Sequence, residues 1–389
     1  MKSSISKLCK AVAAEEIDGW LFYGFQHRDP LAEEILGLSR EKVNTRRWFY
    51  IVFSDPEKNI KISHRVEAGY LSSLPGKEFM YSSLAELKHI LLRFTGLRLA
   101  AQYSPELSIF SFLDHGTALL LKEVGIELSS SGSLIQTVKG VLDSDGTASH
   151  ERSAVHLYEI LAVCRDRLSE AFSAMKQYQE GDVQEWIMAE FEKRRLITNH
   201  PPIVAAGINS RDPHYIPENG GAVIDRNMPL QLDLWAREKT PEAVYADISW
   251  VLFTGTKVPD KIVSVFSALQ KARDGVIEFL CREYPRRRVS GVEADQIARA
   301  VLIESGYERG IRHRTGHGID TEAHGYGVNL DSIEFPDTRF FMEGSCFSIE
   351  PGLYLEEFGL RTEINVYIKD GTIRVSGGPV QQEITSLLL

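Results

Sequence analysis

The chain lacks three features, each of which would have pointed to a different function. Its four cysteines, Cys9, Cys164, Cys281 and Cys346, lie too far apart for a CxxC pair or a zinc-ribbon spacing. They read as small buried hydrophobes in a reducing compartment. Positive charge is scarce: 44 Lys and Arg against 54 Asp and Glu give a formal net charge of -10, whereas a nucleic-acid binder needs a basic stripe to displace phosphate counterions. The dense cationic run, Arg286-Arg287-Arg288, is short enough to be a solvated loop after a helix. No apolar run approaches the roughly 20 residues that span a bilayer. The stretch Ala11 to Ala14 is too short for a signal peptide and is closed by Glu15 and Glu16. The expectations are therefore no nucleic acid, no membrane and a cytoplasmic location.

At 389 residues the chain exceeds what one hydrophobic core normally organises, so two domains are expected. Residues 1–146 alternate short apolar runs, Trp20-Leu21-Phe22-Tyr23 and Trp48 to Phe53, with helix-like stretches such as Ser83 to Phe94. That alternation marks a mixed α/β domain. The polar segment Leu142 to Thr147 makes the boundary. In residues 147–389, Ser149 to Tyr178 and Val183 to Arg195 have helical patterns, as do Asp260 to Glu283 and Val292 to Ser305. Strand-like composition recurs at Pro229 to Ala236, Val244 to Phe253, Ser345 to Leu355 and Leu360 to Ile368.

Neighbouring strand residues face opposite sides of a sheet, and this locates four acids. Asp233 lies opposite Leu230, Leu232 and Leu234. Asp247 shares a face with Tyr245 and Ser249, away from Val244, Ala246 and Ile248. Glu350 lies opposite Phe347 and Ile349, and Glu363 opposite Ile364 and Val366. One such acid usually faces solvent. Four on strands this apolar imply buried carboxylates, which need a compensating cation. Arg361 would serve one, and a pair of metal ions would serve all four. Nearby, Arg312-His313-Arg314-Thr315-Gly316-His317-Gly318 and Glu322-Ala323-His324-Gly325 gather three histidines among glycines that permit close backbone approach. His214, in Asp212-Pro213-His214-Tyr215, precedes the first acidic strand.

These residues, together with Val204-Ala205-Ala206-Gly207, Glu350-Pro351-Gly352 and Gly359-Leu360-Arg361-Thr362-Glu363, resemble the pita-bread metallopeptidases. That family includes Xaa-Pro dipeptidases, aminopeptidase P and methionine aminopeptidase, with creatinase as a metal-free relative. The resemblance covers Ser149 to the C-terminus. It implies an α+β protein in which an N-terminal creatinase/prolidase-type α/β domain precedes a C-terminal pita-bread domain.

It further implies that Asp233, Asp247, His317, Glu350 and Glu363 ligate two divalent ions, with Mn(II) leading and Co(II), Fe(II) or Zn(II) as alternatives. A metal-bridging hydroxide would attack the peptide while Glu350 moves a proton. His214 and His324 would assist catalysis by donating hydrogen bonds. His313 and Arg361 would bind substrate, Arg361 either anchoring a carboxylate terminus or orienting Glu363. The implied partners are a small peptide substrate, with cleavage at Xaa-Pro bonds, and a second copy in a homodimer. Three positions depart from the family: Asp247-Ile248-Ser249-Trp250 stands in place of Asp-x-Thr-Arg, Gly325 in place of an acid and Ile364 in place of an aspartate. They leave room for a non-peptidase metal-dependent hydrolase or lyase, while a binding protein without catalysis fits an intact ligand set poorly.

Overall fold

The computed structural model describes residues 5–388, and the chain divides into two units, Met1–Lys139 and Gly140–Leu389. In the first, runs of aromatic and β-branched residues form six strands: β1 (Gly19–Gly24), β2 (Trp48–Val52), β3 (Ile60–His64), β4 (Lys77–Tyr81), β5 (Arg98–Ala101) and β6 (Glu127–Ser130). Their order is β4-β3-β2-β1-β5-β6. The strands β1 and β2 are buried along their whole length, as central strands covered on both faces must be. Among the described residues, five α-helices belong to this unit: α1 (Ile5–Ala13), α2 (Pro30–Leu36), α3 (Leu84–Leu91), α4 (His115–Glu123) and α5 (Gly132–Val138). On one side α3 and α4 supply cover, setting Leu87, Ile90, Leu91, Leu120 and Leu121 against Leu21, Phe49, Ile51 and Ile62.

The second unit opens with α6 (Ser144–Ser173), which Asp143 caps by accepting the Gly146 N–H at 2.8 Å. It ends short of Tyr178 because Met175 adopts a left-handed conformation (φ 57°). After α7 (Glu180–Lys193) come β7 (Leu196–Ile197), β8 (Ile203–Ala206), β9 (Pro229–Glu238) and β10 (Ala246–Phe253). The helices α8 (Asp260–Glu283) and α9 (Gly291–Glu304) follow. The chain ends in β11 (Cys346–Ile349), β12 (Gly352–Tyr354), β13 (Gly359–Arg361), β14 (Ile364–Lys369), β15 (Thr372–Val375) and β16 (Thr385–Ser386). One sheet runs β16-β10-β9-β7 with β8 also on β9; another runs β11-β14-β15; β12 pairs β13.

Alternation along these strands builds two apolar layers. Leu230, Leu232, Leu234, Ala246 and Ile248 pack on Leu157, Ile160, Leu161 and Leu168 of α6 and Val183 and Ile187 of α7. Phe347, Ile349, Ile364 and Val366 pack on Val265, Phe266, Leu269 and Ala272 of α8 and Ala294, Ala298 and Leu302 of α9. Each sheet thus spends its greasy face on its own helices, and the remaining faces meet: the Asp247 N–H donates to Asn365 Oδ1 at 2.7 Å, and the Glu363 N–H to the Ser249 carbonyl at 3.2 Å.

The two C-terminal strands expected to be continuous are both broken, at Glu350-Pro351 and at Thr362-Glu363. Pro351 has no N–H to donate, and there the chain leaves β14 for β13. Glu363 is drawn off by its bridge to Ser249. Cys9, Cys164 and Cys346 are buried as expected, but Cys281 is exposed. The helical period that turns Val276 and Leu280 inward carries Cys281 to the solvent side of α8.

Candidate metal centre

Asp233 and Ser249 are opposed in the β9–β10 register, and Asp247 lies two residues along the same face. His317 comes from an extended segment running beside β11: the Ser348 N–H donates to the His317 carbonyl at 2.8 Å, and the Glu350 N–H to Thr315 at 2.7 Å. The approach is close enough that a Cβ on Gly316 would lie 2.1 Å from the Ser348 carbonyl oxygen. Only glycine fits there. This pairing sets His317 Nε2 at 3.3 Å from Glu350 Oε1 and 3.7 Å from Asp247 Oδ2.

Asp247, His317 and Glu363 form a buried group whose donor atoms all lie within 4.8 Å of one another. Glu350 flanks it on the His317 side. Asp233 stands on the other side, where the Ser249 hydroxyl is 2.8 Å from Asp233 Oδ1 and 3.1 Å from Glu363 Oε2. The structure thus brings the five expected ligands near one another, with three of them in the tight cluster. Arg361 does not turn to Glu363. Its Nη2 pairs with Asp233, Nε donates to Ser249 Oγ at 3.0 Å and Nη1 to the Tyr354 hydroxyl at 3.1 Å.

The electrostatics fit a bound cation. Asp247 Oδ1 and Glu363 Oε1 are buried and have no hydrogen-bond donor among the described residues, a costly state for a carboxylate. Burial pushes both carboxyls well above their ordinary range, and the neighbouring carboxylates add to it. His317 is pulled down to about 3, by burial first and then by Arg314, which keeps its ring neutral. Its Nδ1 lies 3.2 Å from the Gly318 carbonyl, an acceptor. Nδ1 therefore carries the proton, and Nε2 offers a lone pair to the carboxylates, an arrangement a metal ion between them resolves. Burial opposes charge on Arg361, but Asp233 and the acids around it outweigh this and hold its pKa well above the ordinary value.

The other predicted residues take different places. His324 is exposed and sets its ring against His317, with centroids 4.3 Å apart. The adjoining His317 first, then burial, Arg314 and His214, pull His324 down to about 3. His214 is exposed on the loop between β8 and β9. Both ring nitrogens of His313 are engaged, Nδ1 by the Arg314 carbonyl at 2.6 Å and Nε2 by Tyr354 at 2.8 Å. The sequence reading missed Tyr354, which joins His313 to Arg361. Its position two residues after Gly352 on a buried strand was the available signal. Of the departures, Trp250 turns to the leucine layer and meets Tyr158 edge-on at 6.1 Å, while Ile364 is core.

The model of metallopeptidase family M24 matches residues 155–370. A Xaa-Pro dipeptidase of Lactobacillus delbrueckii subsp. lactis is 30% identical over 184 residues, 47% of this chain and 46% of that one. A Xaa-Pro dipeptidase of Pyrococcus horikoshii is 26% identical over 211 residues, 52% and 56% of the two chains. The chain spans about half the length of the curated relatives it matches. Among solved structures, the dipeptidase PepE from Mycobacterium ulcerans has a TM-score of 0.69 at 17% identity, covering 99% of this chain and 97% of its own. The N-terminal domain of FACT complex subunit SPT16 from Eremothecium gossypii has a TM-score of 0.63 at 14% identity, covering 99% and 97%. These likenesses extend the fold over the whole chain.

Proposed function

Because the chain belongs to metallopeptidase family M24, we propose that it is a metal-dependent peptidase that cleaves small peptides at Xaa-Pro bonds with two divalent ions at Asp233, Asp247, His317, Glu350 and Glu363. The observation that carries this reading is the pair of orphaned, buried oxygens on Asp247 and Glu363 beside the Nε2 lone pair of His317. Three buried carboxylates, Asp233, Asp247 and Glu363, and the half-buried Glu350 face the one guanidinium of Arg361, so a further cation would be needed to offset all four as carboxylates. Oxygen-rich donors with one imidazole suit Mn(II) first among borderline ions. The names of the relatives, Xaa-Pro dipeptidase, support the choice of bond.

When bound, the ions would make water acidic enough to serve as a nucleophile near neutral pH and would polarise the scissile carbonyl. The chain's own groups do the rest. Glu350, at the edge of the cluster and hydrogen-bonded by Ser348 at 3.2 Å, takes the proton from the attacking water and passes it to the leaving nitrogen. His214 and His324, both at the open side, donate hydrogen bonds to the substrate carbonyl, each a contribution of a few kcal/mol at most, roughly. His313, Tyr354 and Arg361 form the inner wall, with Arg361 fixing Asp233.

The test loads purified protein with Mn(II) and offers Ala-Pro, Met-Pro and longer Xaa-Pro peptides against dipeptides without proline. Cleavage confined to the proline peptides is expected, and loss of metal and of turnover in Asp247→Ala. An Asp247→Ala protein that keeps its metal and its full rate would end the model. Glu350→Gln should retain part of the metal and lose turnover by about a thousandfold.

A further inference from the structure

Glu180, the first residue of α7, is fully buried, and no Lys, Arg or His among the described residues pairs with it. Its carboxylate instead collects donors from one loop. Oε1 accepts the Ala206 N–H at 2.7 Å and Oε2 the Ala222 N–H at 2.7 Å, which are the two ends of residues 207–222. Inside the loop, Asn209 Nδ2 lies 3.0 and 3.1 Å from the two oxygens, and the Tyr215 hydroxyl donates to Oε2 at 2.6 Å. A Cβ on Gly221 (φ +74°) would lie 2.6 Å from Oε2, so the carboxylate is seated directly against the turn. The start of a helix favours a negative charge there. Burying a carboxylate without a cation is costly, and what the fold gains at this place is a closed loop.

Backbone also holds the second end, where the Glu180 N–H donates to the Ala222 carbonyl at 3.0 Å, and Arg312 Nη1 donates to the Arg211 carbonyl at 3.0 Å. Ile208 is 61% and Ile216 74% exposed, so neither contributes packing. Ser210, whose hydroxyl accepts the Gly359 N–H at 3.0 Å, ties the first turn to β13. His214 is exposed and directly follows Asp212 and Pro213, which line one small cavity with Tyr354 and Arg361.

We propose that Glu180 is a positioning residue: by closing both ends of the loop 207–222 on one carboxylate, it holds His214 where the peptide carbonyl arrives. This rests on the peptidase reading above. In Glu180→Gln, whichever way the amide turns, its NH2 faces a backbone N–H at one end of the loop and releases that end. Amide hydrogen exchange within 207–222 should quicken by about tenfold or more while β9 and β10 stay protected. With the Mn(II)-loaded enzyme, kcat/KM for Ala-Pro should fall by about tenfold with metal content unchanged. A general loss of structure would not spare the metal content or the protection of β9 and β10.

Acting through His214 has a sharper signature: the double variant Glu180→Gln/His214→Ala should match His214→Ala alone to within about twofold. Tyr215→Phe, which removes one hydrogen bond and keeps both loop ends closed, should give the same pattern at about twofold to threefold; it supplies the answer if Glu180→Gln does not fold. Unchanged exchange in a folded Glu180→Gln, or effects that multiply in the double variant, would overturn the proposal. A wild-type enzyme that cleaves no peptide would instead sink the peptidase reading, and the exchange measurement would still decide whether Glu180 holds the loop.

Discussion

Two sets of buried acids lie within the second unit, and they are treated in opposite ways. Asp295 on α9 is fully buried, and each of its oxygens is satisfied. Oδ1 accepts the Thr315 N–H at 3.0 Å and the Thr315 hydroxyl at 2.5 Å, and Oδ2 accepts Arg299 Nε at 2.7 Å and the N–H and hydroxyl of Ser332 at 2.9 and 2.5 Å. Asp337 is likewise closed off by Arg339 and Asn329. Asp247 and Glu363, equally buried, each keep an oxygen with no donor. Residue type and burial are alike in both sets, so neither identifies a functional acid. What separates them is the unmet hydrogen-bonding capacity. The two sets are also connected, because Asp295 fixes Thr315, two residues before His317, on the segment that pairs with β11.

The comparison breaks most visibly if a structural acid is removed. Asp295→Ala would leave Arg299, Thr315 and Ser332 donating into a void. Denaturant melts should show a loss of about 3–5 kcal/mol; a loss under 1 kcal/mol would mean that the donors find other partners and that the two sets do not differ as described. Next in size is metal addition. Saturating Mn(II) should stabilise wild-type protein by about 2.7 kcal/mol at a hundred times Kd and leave Asp247→Ala unmoved. Equal stabilisation of both would place the ion elsewhere.

A smaller effect sharpens the contrast by reversing its sign. In metal-free protein Asp247 has a folded-state pKa raised by burial and by its acidic neighbours. A raised carboxyl contributes stability that is fully present below its unfolded pKa, near 3.8, and is lost as pH rises through the folded value. Asp247→Asn removes that dependence. Without metal, the variant should become more stable than wild type as pH rises from about 4 toward 8, by on the order of 1–2 kcal/mol. Asp295→Asn, which turns an NH2 toward existing donors, should be less stable than wild type throughout. If Asp247→Asn is instead the weaker protein at pH 8 without metal, the buried charge is compensated in a way the orphaned oxygens do not reveal.

Much of the centre was legible because period-two alternation survives long-range packing. Leu230, Leu232 and Leu234 had to face one way, so Asp233 faced the other, and the same alternation sets Asp247 on the face of Ser249, whereas Glu350 lies one residue beyond the end of β11. The limits of that reasoning lie where strands end. Leu360 to Ile368 reads as one strand, but Glu363 bridges to Ser249 over a hundred residues away, and nothing local announces the break. The partners of Arg361 were illegible for the same reason: Glu363 is adjacent in sequence, whereas Asp233 and Tyr354 are brought in by the fold. Glu180 and Asp295 look like ordinary helix acids, because the loops that supply their donors are distant in sequence.

The smallest effect is expected at the departure that most suggested an altered substrate. Trp250 stands where the family pattern has arginine, and a cation lost beside the ligands would change what the site binds. Strand alternation decides the matter: Ser249 faces the acids, so its neighbour Trp250 must face the leucine layer, where it packs on Tyr158. An arginine there would stand on the same far side. Trp250→Phe keeps an aromatic contact in that layer and should leave KM and kcat for Ala-Pro within about twofold of wild type, with stability lowered by roughly 1 kcal/mol. A tenfold change in KM at unchanged stability would mean that the far face of β10 is coupled to substrate, and specificity would then have to be sought behind the metal centre as well as in front of it.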